Sequence, residues 1–235
     1  DEIKKFFYWG PMFRYERPQK GRKRQFFQAG VELIGNQSSD ADIEIILIAN
    51  TILDKLNIKS KLAINYLGNQ KSLKKYNQYL QDYLSEDEDL PKYVIKNPIR
   101  ALDSKDQNIR KRMSQAKSIV NFLESSQIEE FKKIQSKLNE LGIKFDENPN
   151  LVRGLDYYNG LVFEFVSNDL GAQNAILGGG RYDGLIKQLG GRDLPATGFA
   201  LGVDRLAELI TPSSTEKDLF IGSVDKESQT YAQLL

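Results

Sequence analysis

Between Gly10 and Arg24 the chain places six bases, Arg14, Arg17, Lys20, Arg22, Lys23 and Arg24, against one acid, Glu16. Guanidinium forks match phosphate oxygens bidentately, so Arg14 with Arg22 and Arg24 across the turn reads as a triphosphate clamp. Phe26 follows, with an aromatic face on which a base can stack. A nucleic-acid contact or a solvated loop would use the same residues. Gln28 and Glu32 are four apart, so a strand period of two puts them on one side, and Gly30 between them leaves that side open. A carboxamide and a carboxylate there suit a small cationic or amino-bearing ligand; the alternative is a cross-strand pair between Glu32 and a base. Further on, RGLDYY (Arg153 to Tyr158) gathers an arginine, an acid and two tyrosines ahead of an apolar strand. Alternation predicts Tyr157 and Tyr158 on opposite faces, one in the core and one toward a ligand. In GFALGVDR, Arg205 falls three beyond Gly202, near a helix start, where the dipole disfavours a cation and an anionic partner is called for.

The chain has 235 residues, 33 Lys and Arg against 32 Asp and Glu, and neither Cys nor His. Without Cys there is no disulfide framework, thiolate metal site or thiol nucleophile, which is compatible with a reducing compartment. Without His there is no imidazole base, Ser-His-Asp triad or histidine-ligated metal. Chemistry here must run on arginine, lysine, carboxylates, tyrosine, backbone amides or a hard metal ion. No apolar run is long enough to span a bilayer. The start DEIKKFFYWG has neither an initiator Met nor a signal-peptide pattern, so the chain reads as an excised piece or a processed form.

Several elements must position these groups. The aromatic run Phe6 to Trp9 and the run Phe26 to Ile34 flank the basic, Gly-containing turn, which predicts a long antiparallel hairpin. Ser38, Ser39 and Asp40 offer an N-cap for a mostly buried helix carrying Ile43, Ile46, Leu47 and Leu53. Leu62, Ile64 and Tyr66 alternate as a strand. Apolar stripes at three- and four-residue steps predict helices through Leu73, Tyr76, Leu80 and Tyr83, through Met113, Ala116, Val120 and Leu123, and through Ile128, Phe131, Ile134, Leu138 and Leu141, the last stopped by Gly142. NPIRALDSK (Asn97 to Lys105) reads as a turn. Gly178, Gly179 and Gly180 let backbone pass close to a ligand or another strand. After Lys217, LFIGSV and SQTYAQLL read as a strand and half a helix opening a further domain. The organisation expected is 1–68 and 149–216 as two parts of one core, 69–148 as a helical insertion, and 217–235 as the start of a truncated α/β domain.

Together these segments resemble a known family. FRYERPQKGRKRQFFQAGVELIG (Phe13 to Gly35) looks like the second signature motif of class II aminoacyl-tRNA synthetases, and GFALGVDRL (Gly198 to Leu206) is similar to their third. LVRGLDYYNG resembles the peptide particular to histidyl-tRNA synthetases, and NPIRALDSK and LGGGRYDGL are also similar to that family, in its order. The resemblance implies an α+β fold: an antiparallel sheet flanked by helices, with a helical insertion. It implies ATP, L-histidine and tRNA(His) as substrates, Mg2+, a cytoplasmic location and a homodimeric full-length protein.

By resemblance, Arg14 would hold the ATP α-phosphate, with Arg22 or Glu16 near the nucleotide and Phe26 against adenine. Arg205 would take the γ-phosphate side and the other adenine face. Gln28 would meet the amino and carboxylate end of histidine, and Glu32, Tyr158 and the adjoining Tyr157 its side chain. Arg153 would be the catalytic arginine beside the α-phosphate, with Arg14 as its companion. The insertion would touch the tRNA acceptor arm, and the bases at 105, 110, 111, 112 and 117 fit phosphate contacts or a solvated face equally.

Relative to the family pattern, the first motif and an early substrate loop would precede residue 1, and most of the anticodon-binding domain is absent. The 235-residue chain alone is therefore expected to show little histidine-dependent ATP–pyrophosphate exchange. Position 27 is Phe where the family often has His, which implies a packing change on the side away from Gln28. The regulatory subunit of ATP phosphoribosyltransferase has the same core and a similar QAGVELIG strand, and is the alternative reading; a synthetase-like sensor domain is a more remote one. The intact RGLDYY and RPQKGRKRQ segments favour the synthetase.

Overall fold

The computed structural model describes residues 2–15, 23–86, 90–91, 94–95, 97–104, 106–153, 157–170 and 174–210. Glu16 and Arg22, Lys105, and the segment read as LFIGSV and SQTYAQLL lie outside them. Seven strands form one sheet: β1 (Lys4–Phe13), β2 (Gln25–Ile34), β3 (Lys61–Tyr66), β4 (Phe145–Glu147), β5 (Asn159–Val166), β6 (Ala175–Arg181) and β7 (Ala196–Gly202). Their spatial order is β1-β2-β7-β6-β5-β3-β4. Every pairing is antiparallel except β3 with the short edge strand β4. The expected hairpin is present, with Phe6 opposite Glu32 and Met12 opposite Phe26.

Helix α1 (Ser39–Lys55) starts where the Ser38 side chain accepts the Asp40 N–H, and acids in its first turn complement the dipole. It buries Ile43, Ile46 and Leu53 as expected, but Leu47 stays 39% exposed. Helix α2 (Gln70–Ser85) is capped by Asn69, whose side chain accepts from both Lys71 and Ser72 N–H. The predicted helix through Met113 and Leu123 is instead two pieces, α3 (Gln107–Met113) and a 3-10 turn at Ile119–Phe122. Val120 is consequently 40% exposed. Asn97 to Lys105 holds a 3-10 helix, Pro98–Asp103, that buries Ala101 and Leu102. Helix α4 (Ser125–Glu140) carries a capping box from Glu124 and Gln127, and Gly142, at φ +71°, follows its C-cap. Two further short helices are α5 (Leu185–Gln188) and α6 (Val203–Leu209).

The sheet separates two environments. Ala29, Val31, Leu33, Phe163, Phe165, Leu177, Phe199 and Leu201 face α1 and α4 and form the main apolar cluster with Ile46, Ala49, Ile134 and Leu138. A second cluster joins Leu67, Tyr76, Leu80, Leu84, Ile109, Met113 and Ile119 to Leu151, Val152 and Val162. Arg181, the last residue of β6, joins the sheet to the start of α1. Its Nε donates to Asp42 Oδ2 at 3.0 Å, Nη1 to the Asn36 carbonyl at 3.2 Å and to Asp183 Oδ1 at 3.3 Å, and Nη2 to the Ser38 carbonyl at 3.0 Å.

Candidate active site

On the sheet face opposite α1, the central residues are small. Register puts Gln28 opposite Gly202, Gly30 opposite Ala200 and Glu32 opposite Gly198. The row continues from Ala200 to Gly178 and from Gly178 to Glu164. Directly opposed residues share a face, so glycine and alanine floor a depression whose walls are polar. The three consecutive glycines divide the work that was expected of them. A Cβ on Gly178 would strike the Arg153 guanidinium, one on Gly179 the Gly198–Phe199 backbone, and one on Gly180 the Leu161–Val162 backbone. One glycine therefore seats a side chain and two permit strand contact.

Arg14, Phe26, Gln28, Arg153 and Arg205 line a single cleft of about 290 Å³ together with Glu164, Asp204 and Glu208. That brings all the described residues expected at the nucleotide, plus Gln28, to one place. Arg14 lies over the Phe26 ring, 4.3 Å from its centroid, and its Nε donates to the Lys23 carbonyl at 2.7 Å. The Arg14 N–H also bonds the Arg24 carbonyl at 2.9 Å, extending the hairpin ladder past β1. Arg205 does start a helix, but it is half-buried and donates to the Ala175 carbonyl. The carboxylate of Glu164, paired with Arg153, also feels the charge of Arg205.

Glu32 leaves this cleft for a neighbouring aromatic box. Its Oε2 accepts the Tyr182 hydroxyl at 2.5 Å, and the residues directly opposite it on the neighbouring strands are Phe6 and Gly198 rather than bases. Burial raises its pKa, and the Tyr182 hydrogen bond opposes that rise. Tyr157 and Tyr158 pack with tilted rings, centroids 4.6 Å apart, and both meet Tyr182 edge-on, at 5.9 and 6.3 Å. The predicted alternation of these tyrosines does not occur, because they precede β5 and lie outside its pleat. Nor is the side between Gln28 and Glu32 bare: a Cβ on Gly30 would run into the Tyr8 phenol. Burial, with Glu32 and Tyr157 nearby, holds the Tyr8 pKa above its ordinary value.

Tyr8, Glu164, Tyr182 and Asp204 were not anticipated. Asp204 accepts the Phe27 N–H at 2.7 Å and Lys23 Nζ at 2.9 Å, pinning α6 to the hairpin's return strand. Both contacts hold its pKa below the ordinary range. Phe27 N–H and Asp204 are 177 residues apart in sequence, which no local pattern reveals. In the helical segment, Arg112 is already engaged. It stacks on Tyr83 at 4.1 Å and donates to the Tyr83 carbonyl at 3.1 Å.

A glycine-floored antiparallel sheet, entered by a basic hairpin and closed by a helix bearing an arginine, is the catalytic fold of class II aminoacyl-tRNA synthetases. The family model for histidyl-tRNA synthetase matches residues 1–108 and 95–206, and the chain belongs to that family. The histidine–tRNA ligase of Picosynechococcus sp. is 43% identical over 243 residues, covering 99% of this chain and 57% of the relative. The apo histidyl-tRNA synthetase of S. aureus matches at TM-score 0.74 and 31% identity, over 98% of this chain and 58% of that one. A Bacillus halodurans protein described as an ATP phosphoribosyltransferase regulatory subunit/histidyl-tRNA synthetase shares the fold at TM-score 0.60 and 24% identity, over 88% of this chain and 59% of that one. The chain spans about half the length of the curated relatives it matches.

Proposed function

We propose that this chain carries the ATP and histidine sites of a histidine–tRNA ligase, which forms histidyl-adenylate and transfers the histidyl group to the 3′ end of tRNA(His). The observation that carries the reading is the convergence of Arg14, Phe26, Gln28, Arg153 and Arg205 on one cleft. Arg14 and Arg153 neutralise the α-phosphate, Arg205 holds the γ-phosphate side, and Phe26 stacks on adenine, with Glu16 and Arg22 assigned to the nucleotide by resemblance alone. Nucleotide binding exchanges the Arg14–Phe26 contact, about 0.5–1 kcal/mol when exposed, for phosphate pairing. Gln28 and Arg153 meet the amino and carboxylate end of histidine, while Glu32, Tyr157 and Tyr158 enclose the imidazole.

In this reading the substrate carboxylate attacks the α-phosphorus. A carboxyl O–P bond forms, the bond to the bridging oxygen breaks, and pyrophosphate leaves with its electron pair. No protein base is required, so a chain without His or Cys can do it by positioning and charge. Among the described residues no cluster of three acidic groups would hold a metal unaided. Mg2+ carried on substrate phosphates and water fits that setting, with Glu208 one of three carboxylates that line the cleft. When bound, the ion would neutralise phosphate charge. No helix among the described residues is long and apolar enough to cross a membrane. A cytoplasmic homodimer is the accompanying proposal.

A non-catalytic histidine-binding subunit would need the aromatic box but not an arginine seated over Gly178 in the cleft, so the Arg153 position supports the enzymatic reading. The test is binding of a non-hydrolysable histidyl-adenylate analogue to the full-length gene product by calorimetry. The reading predicts affinity well above that for histidine or AMP alone, and equal affinities would contradict it. Tyr182→Phe should weaken histidine binding about 10-fold. Without the Tyr182 hydroxyl, burial alone acts on Glu32 and its pKa rises further, so the acid limb of the binding profile moves to higher pH. An unmoved profile would remove Glu32 from the site.

A further inference from the structure

Resting on the proposed function, a second inference concerns Glu164, the acid in the otherwise apolar strand LVFEFV. Its Oε1 accepts Arg153 Nη1 at 3.0 Å, and the two side chains are only 23% and 25% exposed. An exposed ion pair is weakly orienting, whereas a largely desolvated one fixes geometry. Among the described residues, Glu164 supplies the side-chain hydrogen bond to Arg153, and Arg153 Nε is buried without a partner. Gly178, directly opposite Glu164 in the sheet, offers the bare surface on which the guanidinium lies. The charges of Arg205 and Asp103 also act on the carboxylate, the first favouring its ionised form and the second opposing it. Arg153 lies before β5 and outside its pleat, so the strand's alternation does not fix where its head lies.

We propose that Glu164 is a positioning residue for adenylate formation: it holds the Arg153 guanidinium on Gly178 at the cleft, ready for the charge that builds on the α-phosphate. Glu164 acts through Arg153 and touches no reacting atom. A misplacement of about 1 Å at a reacting centre costs on the order of 100-fold in rate, which sets the expected effect. A pair serving only stability would shift the melting temperature and leave turnover intact.

The experiment measures histidine-dependent ATP–pyrophosphate exchange by the full-length gene product. Glu164→Ala should lower kcat about 100-fold, with KM for ATP and histidine moving less than about 3-fold. Glu164→Gln keeps an oxygen that accepts from Nη1 and should recover to within about 10-fold of the parent. Gly178→Ala, which displaces the guanidinium without altering charge, should lose kcat in the same way. In an Arg153→Ala background, Glu164→Ala should cost nothing more, since the residue it positions is gone. Parental kcat in both Glu164→Ala and Gly178→Ala, or an undiminished further loss in the Arg153→Ala background, overturns the proposal. A parent protein without any exchange would instead overturn the proposed function, so the two failures are distinct.

Discussion

Arg153→Ala is expected to reduce histidine-dependent ATP–pyrophosphate exchange by about 10²–10³-fold, the usual cost of deleting one preorganised group that meets transition-state charge. The loss should fall on kcat, with histidine still bound through Gln28, Glu32 and the tyrosine box. Arg153 lines the cleft with Arg14 and Arg205, and no other described arginine is seated on the Gly178 floor. Lysine should not rescue it. A guanidinium reaches Glu164 through one nitrogen while presenting others to a phosphate, which a single ammonium cannot do in the same geometry. Retention of activity within about 3-fold would show that the phosphate is stabilised elsewhere.

The second large effect is on stability. Arg181→Met should destabilise the fold by about 3–5 kcal/mol, measured by urea unfolding, because it strands the Asp42 carboxylate and leaves two backbone carbonyls short of a donor. Asp42 is 2% exposed at the start of α1, and Arg181 reaches it from the end of β6, so the pair locks helix to sheet behind the site. Burial pushes the Asp42 pKa from its ordinary 3.8 up to about 6, with Arg181 opposing the rise. The folded state therefore holds a proton that the unfolded chain releases. This group's contribution is complete below 3.8 and is lost as the pH rises through about 6. In the Arg181→Met variant that pull is gone, so the deficit should be smaller at pH 5 than at pH 7. Adding Asp42→Asn should recover part of it. A deficit below about 1 kcal/mol would mean that the pair is replaceable by apolar packing.

What could be read from sequence followed from local rules. Two β-rich runs around a polar turn gave the hairpin, period two put Gln28 and Glu32 on one face, and Ser38 marked the start of α1. Reading failed where distance or irregular backbone took over. Tyr157 and Tyr158 pack against each other because they precede β5 and escape its alternation. Tyr8 fills the space over Gly30 through pairing across the hairpin. Met113 to Leu123 has helical spacing, yet the chain breaks into two short pieces, since apolar steps of three and four also suit successive turns. Glu164 did carry a signal: a lone carboxylate in LVFEFV must have a partner when its strand is central. Tyr182 and Asp204 had none, because their partners are 150 and 177 residues away.

The proposed ATP site is the cleft of Arg14, Arg153 and Arg205, and the proposed histidine site is the tyrosine box beside it. The most direct measurement is ATP–pyrophosphate exchange by the full-length gene product with each amino acid supplied in turn. Exchange that requires histidine and is lost on Arg153→Ala is the predicted result. Exchange driven equally by another amino acid, or histidine binding with no exchange at all, would contradict it.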